Sequence, residues 1–209
     1  VIRFPGKLVF VPVLLASCAT TTVTRTWRDP GFGGPPLQKV LVCSLSRDEV
    51  TRRQIEDAFV LRLRADGVTG IPCYNVLPAG QTTGQQLQDV AASQGVDGIL
   101  ETLPAHVREV PVYSVAPAWA YGVTPGWGPY YDAWGTDWGY VYGTGWAGEQ
   151  TQVTIQAKAY SLQQNGKLIW AGTSQTFDPS SEKSLISQIV PRFINAMAKS
   201  GVLPPPAAS

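Results

Sequence analysis

A single α/β domain bordering on α+β is the fold class this sequence predicts. The order is β-α-β-α-β, then a β-hairpin, then a helix, on a mixed sheet with helices mainly on one face. Three observations predict it. Lys39 to Leu45 (KVLVCSL) is a continuous apolar run with β-branched residues, which suits a strand buried on both faces. Helical and strand patterns then alternate to about residue 112, as in parallel strands joined by helical crossovers. Gln150 to Leu162 alternates apolar and polar residues and runs into Asn165-Gly166, a strong hairpin signal.

The amino-terminal stretch comes first. Arg3 and Lys7 precede an apolar run from Leu8 to Leu15, interrupted only by Pro12, and Leu15-Ala16-Ser17-Cys18 follows. A basic start, a short apolar centre and a small-residue site make a signal peptide. The run is far shorter than the roughly 20 residues of a spanning helix. Leu-Ala-Ser-Cys resembles the lipobox of bacterial lipoproteins. That resemblance implies removal of residues 1–17 as a lipoprotein signal peptide. It also implies a diacylglycerol thioether on Cys18 and acylation, by palmitate or a similar chain, of the new amino terminus. Several acyl chains hold a protein stably, at ~0.8 kcal/mol per buried methylene. Ala19 is not Asp, which by resemblance to the enterobacterial sorting rule implies the outer membrane, facing the periplasm. The Thr-rich residues 18–26 are expected to form the lipidated Cys and a tether.

Residues 27–203 are expected to form the domain. Trp27-Arg28-Asp29-Pro30 opens it, and Gly31 to Pro36 is a turn-rich loop. Ser46-x-x-Glu49 reads as a capping box starting a helix that runs to Asp66 and stops at Gly67. Its inner stripe would be Val50, Ile55, Phe59 and Leu63. Arg52–Glu56 and Arg53–Asp57 are opposite charges four apart, expected on a solvated face. Val68 to Leu77 reads as a strand. Gln85 to Gln94 reads as a helix with Leu87, Val90 and Ala91 inward. Val96 to Leu100 starts a third strand that continues toward Val112.

After residue 148 the hairpin turn at Asn165-Gly166 would set Ser161 opposite Trp170 and Ala159 opposite Gly172, on the inner face. Asp178 or Ser180 would cap a last helix. Leu185, Ile186, Ile189, Val190, Phe193, Ile194 and Met197 form its apolar stripe, and Gly201 ends it. Pro191 is expected to kink or split it. Residues 204–209 are expected to be a disordered tail.

Between strand and hairpin lies an insert, residues 113–148. It holds five Trp, six Tyr and eight Gly, with Asp132 and Asp137 its only charges. A loop so rich in Gly cannot bury so many aromatic rings. Trp119, Tyr121, Trp127, Tyr130, Tyr131, Trp134, Trp138, Tyr140 and Trp146 are therefore the candidate binding surface. Exposed rings of this kind stack on sugars, pack on a protein, or lie at a lipid interface. The plain alternative is a low-complexity loop folded on the sheet.

Little else suggests chemistry. Charged residues make up 15% of the chain and the net charge is +1, without a basic cluster, so nucleic acid is not an expected partner. His106 is the single histidine, and no Gly-x-Ser-x-Gly elbow is present. One histidine does not make a metal site, and no metal or cofactor is expected. Asp132 and Asp137 could imitate a glycosidase pair, but loop polarity explains them more simply. Gly143-x-Gly145-x-x-Gly148 precedes a strand instead of opening a helix, so it is not read as a dinucleotide site. Cys43 and Cys73 remain once Cys18 is lipidated. An oxidising compartment would let them pair. Both fall in expected parallel strands, where disulfide geometry is poor, so two buried thiols are the simpler expectation.

TWRDP at 26–30, KVLVCSLSRDEVTRRQIEDAF at 39–59 and GKLIWAGTSQTFDP at 166–179 resemble a family of uncharacterised Gram-negative bacterial lipoproteins. The resemblance implies a small α/β domain held in the cell envelope by its lipid and brings no established activity with it; the chain is expected not to be an enzyme. The expected role is a protein-interaction or envelope-maintenance module. The alternative is binding of peptidoglycan or lipopolysaccharide through the aromatic insert, and a hydrolase is the remote third.

Overall fold

The computed structural model of the chain describes residues 20–77, 84–103, 105–114 and 146–206. They form one α/β domain. In chain order the elements are β1 (Thr20–Arg28), β2 (Lys39–Ser44), α1 (Glu49–Ala65), β3 (Thr69–Pro72), α2 (Gly84–Gln94), β4 (Gly98–Thr102), β5 (His106–Ser114), β6 (Trp146–Ser161), β7 (Lys167–Phe177) and α3 (Glu182–Lys199). The sheet order is β1-β7-β6-β4-β2-β3, with β5 also on β6. β2 is parallel to β3 and β4, and the other pairings are antiparallel.

Alternation along β2 divides the core between two faces. Val40 and Val42 join Phe59 and Leu63 of α1 and the apolar stripe of α3. Leu41 and Cys43 join Leu87 and Ala91 of α2 on the other face. Two of the three helices thus share one face. Trp170 is completely buried there, edge-on to Phe193 with ring centroids 6.2 Å apart. Gly172 leaves room for the indole, because a Cβ at that position would overlap the ring.

Several elements differ from the sequence reading. The expected tether is a strand: Thr20–Arg28 is rich in β-branched residues and pairs along its whole length with β7. The third strand breaks into β4 and β5, both on one edge of β6, with Leu103 N donating to Gln156 O between them. The second strand is cut to Thr69–Pro72, because the chain turns into a 3-10 helix at Cys73–Asn75. Asp48, not Ser46, caps α1, its carboxylate accepting from Thr51 N at 2.7 Å. Val50 lies in solvent, and Arg52 and Glu56 face inward.

The β6–β7 turn is longer than two residues. A 3-10 turn at Leu162–Gln164 precedes Asn165 and Gly166, both left-handed, so pairing closes at Ser161 and Lys167. A register shift beyond Tyr160 places Trp170 opposite Ala159 and Gly172 opposite Ala157. The small neighbours are therefore as expected in kind but two residues displaced. Ser181 caps α3, in place of Asp178 or Ser180, and α3 runs through Pro191 as one element.

Candidate functional site

Register places two features, the start of β1 and the β5–β6 ribbon, at one end of the sheet. Thr20 pairs with Phe177, and Phe177 pairs with Gln152, so β1 begins level with Gln152 of β6. The β5–β6 pairing does not stop there. Six more pairs, from Glu109–Thr151 to Ser114–Trp146, continue past that level. At about 3.3 Å per residue the ribbon projects roughly 20 Å beyond β7. The parallel strands β2 and β4 point the same way but stop at Ser44 and Thr102, level with Ala157 of β6 and short of Gln152.

A two-stranded ribbon without a sheet beside it is marginal in water, so its base must be fastened. Asp178 does this. Its carboxylate accepts from Thr151 N at 2.9 Å and Gln150 Nε2 at 2.8 Å, and its own N–H donates to Thr151 O. To reach both it takes a left-handed conformation, φ 46°. Across the ribbon, Arg108 donates from Nε and Nη2 to Gln152 Oε1 at 3.0 and 2.8 Å. Thr151 Oγ1 donates to Glu109 at 3.1 Å. Pro111 lacks an N–H, and β5 is an edge strand where that loss is tolerated.

The start of β1 is fastened too. Thr21 is buried, its hydroxyl 2.8 Å from that of Thr176 and donating to Gln188 Oε1 of α3 at 3.1 Å. The chain before Thr20 therefore leaves from a fixed point. At the other end of β1, Lys167 Nζ sits 2.6 Å from Asp29 Oδ2. That hydrogen bond holds the Asp29 carboxyl below the ordinary carboxylate range, helped by Gly31 N and offset in part by desolvation.

A second cluster lies where β2 ends. Glu56 is fully buried. Its Oε1 accepts from Ser44 N at 2.9 Å and Arg52 Nε at 3.2 Å, and its Oε2 from Tyr74 N at 2.9 Å. Ser44 and Tyr74 each follow a cysteine. Cys43 and Cys73 are joined by a disulfide, Cα atoms 4.9 Å apart. This corrects the expectation of two free thiols: Cys73 has left the strand for the 3-10 turn, so parallel-strand geometry does not govern it. The expected exposed pairs are also corrected. Arg52 and Glu56 are buried, while Arg53 pairs with Glu49 at 2.7 Å and Asp57 accepts from Tyr74 Oη at 2.6 Å. That last bond comes first among the causes that raise the Tyr74 pKa.

Every oxygen of Glu56 is thus engaged in holding backbone, which describes a structural clamp. On the α2 face, Tyr160 Oη donates to Glu101 Oε2 at 3.0 Å. Burial, then the neighbouring Glu101 charge, pushes the Tyr160 phenol up to about 12. A phenol so high in pKa is held neutral and acts as a donor.

The other residues singled out in the sequence fall as follows. Cys18, Trp119, Tyr121, Trp127, Tyr130, Tyr131, Trp134, Trp138 and Tyr140 lie outside the described residues, as do Asp132 and Asp137. Trp146 opens β6, opposite Ser114 at the far end of the ribbon. His106 opens β5 in an exposed position, opposite Thr154. Among the described residues no group of three His, Cys, Asp or Glu side chains is placed to hold a metal ion. Among the same residues no helix is long and apolar enough to cross a membrane. Sequence reasoning missed Asp178, Thr21 and Glu56. All three act on partners distant in the chain, and only Glu56 had a local signal, its spacing from Arg52.

No protein-family model matches the chain, and no curated protein matches it. Among solved structures it is similar to the PelC dodecamer from Paraburkholderia phytofirmans, at 16% identity and TM-score 0.46 over 85% of this chain and 96% of that one. A point variant of that PelC gives 18% and 0.44 over 84% and 95%. The lipoprotein GNA1162 from Neisseria meningitidis gives 16% and 0.38 over 77% and 98%. These likenesses carry no functional argument.

Proposed function

We propose that the protein is a lipid-anchored envelope module without enzymatic activity, which holds the β5–β6 ribbon out as a contact arm. The observation that carries this reading is the ribbon itself. It is an extension of the sheet, fastened at its base by Asp178 and Arg108, and the aromatic-rich sequence lies between its two strands. Two features accord with the envelope. Leu15-Ala16-Ser17-Cys18 is a lipobox-like sequence two positions before β1. The Cys43–Cys73 disulfide suits an oxidising compartment.

The experiment is metabolic labelling with radioactive palmitate in a Gram-negative host, with crosslinking of intact envelopes. The full chain should take label, fractionate with outer membranes and give a reproducible crosslinked band. Cys18→Ala should take no label. Label on Cys18→Ala, or none on the wild type, defeats the anchor. Co-sedimentation with purified sacculi that is lost on deleting residues 115–145 would favour the glycan alternative over a protein partner.

A further inference from the structure

We propose that the sheet face opposite α1 and α3 lies on an anionic lipid surface, held there by Arg25, Trp27, Lys158 and Arg108. Register puts these side chains on one face. Trp170 is buried against α3, so its neighbour Ala171 points the other way, and Ala171 pairs with Trp27 of β1 and Lys158 of β6. Thr173, two residues on, pairs with Arg25. Gln152, which shares the parity of Lys158 along β6, pairs with Arg108 of β5. Among the described residues α2 is the only helix on that face, and the apolar cluster it joins reaches β6 at Tyr160. Farther out, Trp27 is 46% exposed, Arg25 and Arg108 are exposed and Lys158 is half-buried.

Charge is segregated between the two faces of a chain whose net charge is only +1. The carboxylate beside Lys158, Glu101, accepts from Tyr160 Oη. On the ribbon, Arg108 lies on this face, while Glu109 and Glu149 are one residue out of phase and lie on the other. Glu49, Asp57 and Asp66 of α1 and Glu182 of α3 are on that other side as well. Lys158 and the residue opposite Arg108 are six positions apart on β6, so the cations spread over roughly 20 Å of open sheet. That spread suits a planar array of anions better than one small ligand. A cation near an anionic membrane contributes about 1 kcal/mol, and Trp concentrates at the lipid interface. Thr20 begins the edge of this same face, opposite Phe177, and Cys18 is two positions earlier. Two residues span at most about 7 Å, so an acyl chain on Cys18 brings this face to the bilayer. The choice of a lipid partner rests on that anchor reading, and the test uses no acyl chain.

Residues 18–209 with Cys18→Ala hold every described residue and take no lipid. They are floated with vesicles of phosphatidylcholine alone or mixed with phosphatidylglycerol. The expected result is binding to the phosphatidylglycerol vesicles that weakens as salt is added. It should fall roughly tenfold or more in Arg25→Gln/Lys158→Gln. Arg64→Gln/Lys183→Gln, which removes the same charge from exposed positions on α1 and α3, should leave it unchanged. Trp27→Ala should weaken it too. Arg25→Gln alone, at an exposed position, repeats the test if the first pair does not fold. Absence of binding to the phosphatidylglycerol vesicles overturns the proposal, as does an equal loss in the two pairs or no loss in the first. Binding of polygalacturonate that depends on Arg25 and Lys158, without binding to vesicles, gives the face to an acidic glycan and overturns it as well. Palmitate labelling at Cys18 reports on the anchor alone, so failure of the face and failure of the anchor are told apart.

Discussion

Asp178 and Thr151 are joined reciprocally: the Asp178 carboxylate accepts the Thr151 amide, and the Asp178 amide donates to the Thr151 carbonyl, each at 2.9 Å. The pair closes the sheet at the level where β7 ends and the ribbon goes on alone. An exposed hydrogen bond of this kind contributes about 1 kcal/mol, and its effect should be local. Asp178→Ala should speed hydrogen exchange at the Thr151 amide roughly fivefold and leave that of Ile155 unchanged. Asp178→Asn, which tolerates the left-handed backbone and keeps one acceptor, should lie between. Equal acceleration in Ala and Asn would show that the charge, not the acceptor geometry, fastens the arm.

Glu56 joins the two halves of the disulfide through backbone rather than sulfur. Its oxygens take the N–H groups of Ser44 and Tyr74, and Arg52 supplies the charge. Removing one partner of a buried pair costs about 3–5 kcal/mol, since the other charge is left unpaired. Arg52 keeps Glu49 at 3.5 Å, so Glu56→Ala should lower stability in urea by about 3 kcal/mol, the lower end of that range, whereas Glu49→Ala, whose half-exposed carboxylate touches Arg53 as well as Arg52, should cost under about 1 kcal/mol. The double variant Arg52→Met/Glu56→Leu should recover most of the loss. No recovery would mean that the backbone bonds, rather than the charges, set the cost.

Glu56 also shows where sequence reasoning stops. The β2 run, the apolar stripe of α3 and the alternation of β6 report burial directly, because apolar periodicity is what a core selects. Arg52 and Glu56 have the same spacing as a solvated pair, and nothing local says that their partners are the backbone of Ser44, Tyr74 and Leu77. Thr20–Arg28 has few apolar side chains to betray a strand. It is held by its ladder to β7, a partner some 150 residues away that no window can see. The arm was legible only as its parts. Each strand and the aromatic sequence could be named, but the ribbon's direction relative to the start of β1 follows from two registers, Thr20–Phe177 and Phe177–Gln152.

Gly172 is required by Trp170. The outer edge of the indole occupies the position of a Cβ at residue 172, and the ring packs edge-on to Phe193 in the core. A methyl group forces the ring or the strand aside, at about 1–3 kcal/mol for an overpacked core. Gly172→Ala should lower the melting temperature and alter the near-ultraviolet circular dichroism of Trp170. Pairing it with Trp170→Phe, a smaller ring, should give a combined loss smaller than the sum of the two. A strictly additive pair would mean that the residues do not share the space.

Tyr160 should weaken the fold at alkaline pH. Its phenol is raised to about 12 by burial and the Glu101 charge, against an ordinary value near 10. The folded state therefore holds this proton where the unfolded chain has released it. Stability from this group is fully present below about pH 10 and declines as the pH rises toward 12, because the unfolded state binds fewer protons there. Urea midpoints at pH 9 and pH 11 should differ more in the wild type than in Tyr160→Phe, which has no proton to lose. Glu101→Gln removes the carboxylate charge, the second of three causes of the shift after burial, and keeps an acceptor for the phenol, so its Tyr160 should ionise at lower pH in a 295 nm titration, with the alkaline decline narrowed accordingly. A Tyr160→Phe variant with the same difference between pH 9 and pH 11 as the wild type would assign the alkaline limit to another group.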